Sequence, residues 1–421
     1  MRFNSTIEKF AFYNFPVFLF CLIPLFLITG PFLSDLSVSL ISVLFLSYCI
    51  KKKTFFYFKN IYFYFFSAFW IYLIINTLIN NFNLDSLKIS LFFFRYGVFV
   101  IAIAALLNKD SKFIKYFFYC IFFCFISLII DGFYQYFLGE NIFGWKNHSR
   151  TSSFFGEEKI LGSYLSRLWP IFFGLSAIIF KEKNKLFFIL ILVFILSETL
   201  IFVSGDRTAF FYINLSAIFV ILLSKNLTKL RLLTLFLSIL LITIISYFNP
   251  TAKERVIDKT LNQINILYKQ DNNTDGLYIF SKEHTHHYLT AYKMYLDNKV
   301  FGVGVKNFRR FCSDKRYEVS KMSCAPHPHN SYVQILSEIG IIGFLFLIFV
   351  FVYFSKYIFK HLLLKFKSKY YFTDFEICIL SGVVIYLWPF IPTGNVFSNW
   401  INIAMILNLP FLIWSRKSII T

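Results

Sequence analysis

Twelve apolar runs, most near 20 residues long, decide what this 421-residue chain can become. They cover 12–30, 33–50, 60–80, 88–107, 115–138, 159–180, 186–204, 207–224, 231–248, 330–355, 374–392 and 397–415. A helix of about 20 apolar residues spans the hydrocarbon of a bilayer. The expected fold is therefore all-α, a polytopic membrane protein of about twelve transmembrane helices. Only 15% of residues are charged, against about 25% in soluble domains. The 60 phenylalanines suit lipid-facing surface and receive no site. The first run lacks a small-residue cleavage site and reads as a retained helix.

The formal charge of +20 sits largely in short loops, so no nucleic-acid partner is expected. Lys51–Lys53, Lys109/Lys112/Lys115, Lys181/Lys183/Lys185, Lys225/Lys229/Arg231, Lys356 through Lys369 and Arg416-Lys417 follow the even-numbered runs. Positive loops stay in the cytoplasm, which puts both termini there. The odd exits face outward: 139–158, the turn Ser204-Gly205-Asp206, and 249–329. That last segment carries 13 Lys/Arg and 8 Asp/Glu, and long loops translocate whatever their charge. The chain divides into helices 1–9 (1–248), an outer helical loop (249–329) and helices 10–12 (330–421). No internal repeat or inverted symmetry is visible.

Within the outer loop, 282–298 reads as a helix with Tyr288, Ala291, Tyr292 and Tyr295 on one stripe. Phe301-Gly302-Val303-Gly304 is a turn, and 305–318 reads as a second short helix. Cys312 and Cys324, the only cysteines of this loop, pair as a disulfide if it faces an oxidising compartment.

Chemistry outside the cytoplasm has no ATP and needs an activated substrate already in the membrane. Glycans on polyprenyl diphosphate are the main such class. They require cations, a group to handle an acceptor hydroxyl, and apolar walls. Arg207, at the mouth of run eight, and Arg95 and Arg167 within runs four and six are candidates, because a charge in the membrane is expensive. Pairing with Glu198 or Glu338 is the structural alternative. Runs six, eight and ten point positive N-terminal ends outward, with Asp206 and Asn330 or Ser331 as caps.

Five of seven histidines lie in the loop: His284, His286, His287, His327 and His329. His329 is held at the start of a rigid helix, where an imidazole can exchange a proton at ambient pH; a packing role is the alternative. Their spacing matches no common zinc motif, so no metal or cofactor is expected. Gly340 and Gly343 leave a small strip suited to close helix packing. Glu157 and Glu158 either cap run six or position an acceptor sugar.

His329-Asn330, nine residues, Gly340, two residues and Gly343 resemble the ligase pattern of the O-antigen ligase and polymerase superfamily. Asp297 to Phe308 is similar to the family's turn, and Ser204 to Ala209 to its arginine element. The resemblance implies a metal-independent inverting glycosyltransferase in the bacterial inner membrane, with its active site at the periplasm. The implied donor is a glycan on undecaprenyl diphosphate, and the acceptor is lipid A–core sugar or a growing glycan. Arg207 would bind the diphosphate and His329 would assist the acceptor, with Asn330 beside it. The family's second loop arginine has no counterpart at 284–288; His286, His287, Arg309 or Arg310 could fill that place, with His327, Arg95, Arg167 and Glu157 as further binding candidates. Polymerisation of repeat units, transfer to protein, and flipping of lipid-linked sugars stay open.

Overall fold

The computed structural model describes residues 1, 3–147, 150–179, 185–262 and 281–416. Lys181, Lys183 and Lys417 of the basic exits lie outside them. Fifteen helices carry the argument: α1 Thr6–Thr29, α2 Pro31–Lys52, α3 Ile61–Ile79, α4 Leu84–Lys109, α5 Ile114–Leu138, α6 Leu161–Ile179, α7 Lys185–Val203, α8 Arg207–Leu223, α9 Thr228–Phe248, α10 Lys282–Asp297, α11 Phe308–Phe311, α12 Ser331–Phe366, α13 Asp374–Leu387, α14 Asn399–Ile406 and α15 Asn408–Ser415. The chain is an all-helical, polytopic membrane protein. Each of the twelve apolar runs contains helix among the described residues, but only seven of the described helices are long and apolar enough to cross a membrane on those criteria alone.

For two of the five remaining runs the shortfall has a local cause. The run 374–392 stops as helix at Leu387, just before Pro389 and Pro392, which lack the N–H a helix needs. The run 397–415 is broken at Leu407, three residues before Pro410. Residues 388–398 are thus an irregular loop between α13 and α14, and 388–392 and 397–398 of it had been expected as membrane helix. The heart of the bundle is α6 packed on α13 and α8.

Arg231 is not a loop charge, because α9 begins at Thr228 and carries it one turn inside. It is fully buried and pairs with Glu198 at 2.5 Å. Thr234 and the face of Trp169 complete its surroundings, while Ser238 donates to Glu198. Glu198 is therefore the partner of Arg231, not of a candidate site arginine. Glu198→Ala strands a buried cation, so a loss of about 3–5 kcal/mol is expected. Thermal melts in nanodiscs check this, and the double apolar variant Glu198→Leu/Arg231→Leu should melt higher than Glu198→Ala.

A polar cap covers one end of the bundle. Helix α10 is capped by Ser281 and buries His287, Thr290, Ala291 and Met294. The tyrosine stripe is displaced by one position, since Tyr292 is 52% exposed. Of the helix expected at 305–318, only the single turn α11 forms. Asp314 and Ser323 accept backbone N–H groups of Arg316, Val319 and Ser320, offering the chain turns in place of helix. Cys312 and Cys324 are joined by a disulfide.

Gly340 breaks α12 with φ +67° and ψ −169°. The broken turn frees backbone groups that the cap uses: Val303 N–H donates to Ser337 O, Gly304 N–H to Glu338 O, and Ile341 N–H to Lys299 O. A Cβ at Gly340 would lie 2.1 Å from the carbonyl oxygen of Val300. The glycine thus lets the loop backbone cross the helix. It does not serve the helix–helix packing expected from its spacing, and the atoms nearest a Cβ at Gly343 belong to the side chain of Ile339.

Candidate functional site

Between the cap and the bundle lies a cavity of about 2000 Å³, larger than the roughly 300–1,000 Å³ of a small-ligand site. Its charged wall comprises Arg150, Lys159, Arg167, Arg207, Lys306 and Arg309 against Glu158 and Asp206. Apolar wall is supplied by Leu27, Ile28, Phe210, Phe211, Phe390 and Trp400, among others. A concave surface with an excess of one charge sign concentrates ions of the opposite sign. The cavity therefore suits an anion attached to an apolar body.

The turn at 204–206 places the first cations. Gly205 sits at φ +68°, and Asp206 caps α8 by accepting from Ala209 N–H at 3.1 Å. The other Asp206 oxygen holds Arg150 at 3.1 Å. Arg255 Nε donates to Gly205 O at 3.0 Å. Arg207 and Thr208 open the helix onto the cavity, and Ser163 and Arg167 do the same from α6. Of the three helices whose starts were expected to point outward, α6 and α8 line one space with residues of their first two turns, and a helix start is suited to an anion. Arg167 is 3% exposed. Its Nε donates to Ser163 at 3.0 Å, its guanidinium lies between the rings of Tyr212 and Tyr386, and its Nη1 has no hydrogen-bond partner.

Four imidazoles cluster at the cap side. The ring of His329 lies 4.2 Å from that of His327, 5.3 Å from His284 and 5.4 Å from His287, centroid to centroid. His329, His327 and His284 line the cavity and His287 stands behind them, buried. His329 takes a left-handed backbone, φ +57°, a conformation that costs a non-glycine residue energy and collects at functional sites. Burial pushes His329 down to about 4, with help from His284 and His287. Burial likewise takes His284 to about 4 and His327 to about 3. The cluster is neutral at ambient pH. His327 Nε2 lies 3.2 Å from Thr393 O, and since a carbonyl only accepts, that nitrogen carries the proton. Among the described residues no three His, Cys, Asp or Glu side chains are arranged to hold a metal ion.

Other expected site residues fall elsewhere. Asn330 is buried and structural: it caps α12 through Tyr332 and Val333 N–H and donates to Pro389 O at 2.8 Å. Arg95 is outside the cavity, tied to Asp35 at 2.8 Å and to Asn399 at 3.2 Å. It braces a residue that lines the wall. Arg310 and Glu157 are exposed and do not line the cavity, whereas Arg309 and Glu158 do. Adjacent residues on a turn face different ways, which sequence proximity cannot sort. His286 is also outside the lining.

Sequence reasoning missed Arg150, Lys306 and the loop around 390–401 as wall. The signal for the loop was present: Pro389 and Pro392 interrupt the end of a run taken as membrane helix. Glu338 also has a role different from the expected arginine partner. Fully buried, it accepts from Lys306 N–H at 3.1 Å, Phe308 N–H at 3.0 Å and Gln334 Nε2 at 3.0 Å. Gln334 in turn bonds Asn395 and Val396 N–H, so one buried pair fixes both cavity loops.

A search of curated proteins returns no match. A family model described as O-Antigen ligase matches residues 186–348, a stretch that contains Arg207, His284, Lys306, Arg309, His327 and His329 but not Arg150, Arg167 or the 390–401 loop. Over residues 186–348 the chain is similar to the O-antigen ligase family, and that similarity supports a ligase- or polymerase-like role in surface-polysaccharide synthesis.

Proposed function

We propose that the protein is an inverting, metal-independent glycosyltransferase of the periplasmic face of the inner membrane. It moves a glycan from undecaprenyl diphosphate to a sugar hydroxyl of a lipid A–core acceptor. The observation that carries this reading is that Arg207 and His329 line one cation-rich cavity with apolar walls.

In this reaction the acceptor oxygen attacks the anomeric carbon opposite the diphosphate. The new C–O bond forms as the bond to the phosphate oxygen breaks, and the diphosphate departs with the bonding pair. Arg207, with Arg150 and Arg167 nearby on the wall, balances the charge that grows on the leaving group. Fixed cations of this kind supply a large share of transition-state stabilisation. The neutral ring of His329 accepts a hydrogen bond from the acceptor hydroxyl. It takes the proton as the oxygen becomes more acidic during attack, then gives it to water.

Purified protein in liposomes with labelled lipid-linked donor and lipid A–core acceptor tests this. Transfer with release of undecaprenyl diphosphate is expected; movement of donor between leaflets without release would identify a flippase and overturn the reading. A glycan gel of cells lacking the protein separates the remaining choice. Unattached long polymer marks a ligase, and single-repeat products mark a polymerase.

The depressed histidines set a pH dependence. A ring that titrates near 4 when folded and near 6.5 when unfolded stays a hydrogen-bond acceptor down to about pH 4. The acid limb of kcat/KM, which reports the free enzyme, is therefore expected near 4. A limb near 6.5 would show His329 exposed to water. Stability moves differently: the unfolded chain binds protons below about 6.5 while the folded cluster does not, so stability falls from there toward 4.

A further inference from the structure

Two groups of cations stand out in and beside the cavity, each acting on a different neighbour of His329. Arg207 acts electrostatically on His284, and Arg255 senses both Arg150 and Arg207. This group gathers at the start of α8. Arg309 acts on His327 and on Lys306, and this second group belongs to the cap. The rings of His284 and His327 both pack on that of His329. A transfer reaction has two substrates, and the diphosphate donor accounts for one group only.

The second group is held in place by buried structure. Lys306 has φ +57°, where glycine or asparagine would be easier. Its backbone N–H, and that of Phe308 at the start of α11, donate to the fully buried Glu338. Gly302 and Gly304 take positive φ and bring the chain onto the broken turn of α12. Arg309 Nη2 reaches Pro326 O at 3.4 Å, beside His327. Burial and the neighbouring Arg309 disfavour the Lys306 ammonium, and Glu338 and Asp85 offset this only in part. An anion that the ammonium meets would offset that cost.

We infer that Lys306 and Arg309 form a second anion subsite, which binds a phosphate or diphosphate on the acceptor and so orients its hydroxyl toward His329. Two kinds of acceptor share this chemistry: a glycan itself carried on polyprenyl diphosphate, and a phosphorylated core sugar. The word acceptor rests on the transferase reading above; the existence of two subsites does not.

The test uses the full chain in nanodiscs with inorganic pyrophosphate as the calorimetric probe. Wild type is expected to bind two equivalents. Arg207→Gln and the double variant Lys306→Gln/Arg309→Gln should each bind one, and Lys306→Arg/Arg309→Lys should keep two. A single equivalent in wild type, or two in the Gln double variant, would overturn the inference. Turnover gives the second arm. Wild type should prefer a phosphorylated acceptor over its dephosphorylated form by on the order of tenfold or more, the scale of one charge-assisted hydrogen bond, and the Gln double variant should lose that preference. A rise in donor KM with the preference intact would also overturn it. Running this arm with a short-chain polyprenyl-diphosphate glycan and with a phosphorylated free glycan tells the two sources apart. Two pyrophosphate sites without any transfer would sink the transferase reading and leave the second subsite standing.

Discussion

His329→Ala lowers transfer by about 10²–10⁴-fold, the usual contribution of a positioned acid–base group, while the protein reaches the membrane at wild-type level. The ring makes its contacts within a cluster of four imidazoles on the cavity wall, and it is partly exposed there. Removing it opens space at a wall and not inside the bundle. The backbone is the complication, because φ is +57°. Asparagine tolerates that region better than alanine, so His329→Asn separates loss of the ring from loss of the turn. Both variants should be equally inactive, and His329→Asn should melt with wild type. The backbone carbonyl of His329, which accepts from Thr393 N–H at 2.7 Å, is untouched by either change. Activity in His329→Asn near that of wild type would remove the imidazole from the mechanism.

Gly340→Ala is expected to damage the fold of the cap. The residue sits in a region of φ and ψ open in practice only to glycine, which costs other residues about 1–3 kcal/mol. Its new Cβ would also meet backbone, the Val300 carbonyl at 2.1 Å, which cannot swing aside as a side chain can. Together these amount to on the order of 3 kcal/mol or more. The loss falls where three backbone hydrogen bonds bind the loop to α12. Lys306 and Arg309 should then leave the cavity wall. Gly343→Ala is the control. Its Cβ would press on Ile339 side-chain atoms at 2.3–2.4 Å, and that side chain can turn away, so a clearly smaller effect is expected. Hydrogen exchange of residues 299–308 should rise sharply in Gly340→Ala and little in Gly343→Ala. Equal behaviour of the two would contradict the crossing described here.

Apolar length made the helices readable, because a bilayer leaves few other uses for such runs. It failed where proline intervened: Pro389 and Pro392 turned the end of one expected span into a wall of the cavity. Charge made loops readable and failed at Arg231, where a helix start three residues earlier than expected buries a cation against Glu198. The histidine at a helix mouth and the arginine after the Ser204-Gly205-Asp206 turn stood out as polar residues beside lipid-length runs, and both line the cavity. Choices between neighbours were not readable. Arg309 against Arg310 and Glu158 against Glu157 depend on the direction of one turn. Gly340 stood out by position only; that it breaks the helix depends on a loop packed from 40 residues earlier in the chain.

Donor binding and turnover, measured on the same His329→Asn and Arg207→Gln proteins in nanodiscs, bear most directly on the central claim that a diphosphate and an acceptor hydroxyl meet between these two side chains. His329→Asn should bind lipid-linked donor with wild-type affinity and transfer about 10²–10⁴-fold more slowly, whereas Arg207→Gln should lose donor affinity on the order of tenfold or more. Wild-type donor affinity in Arg207→Gln together with wild-type turnover in His329→Asn would contradict it.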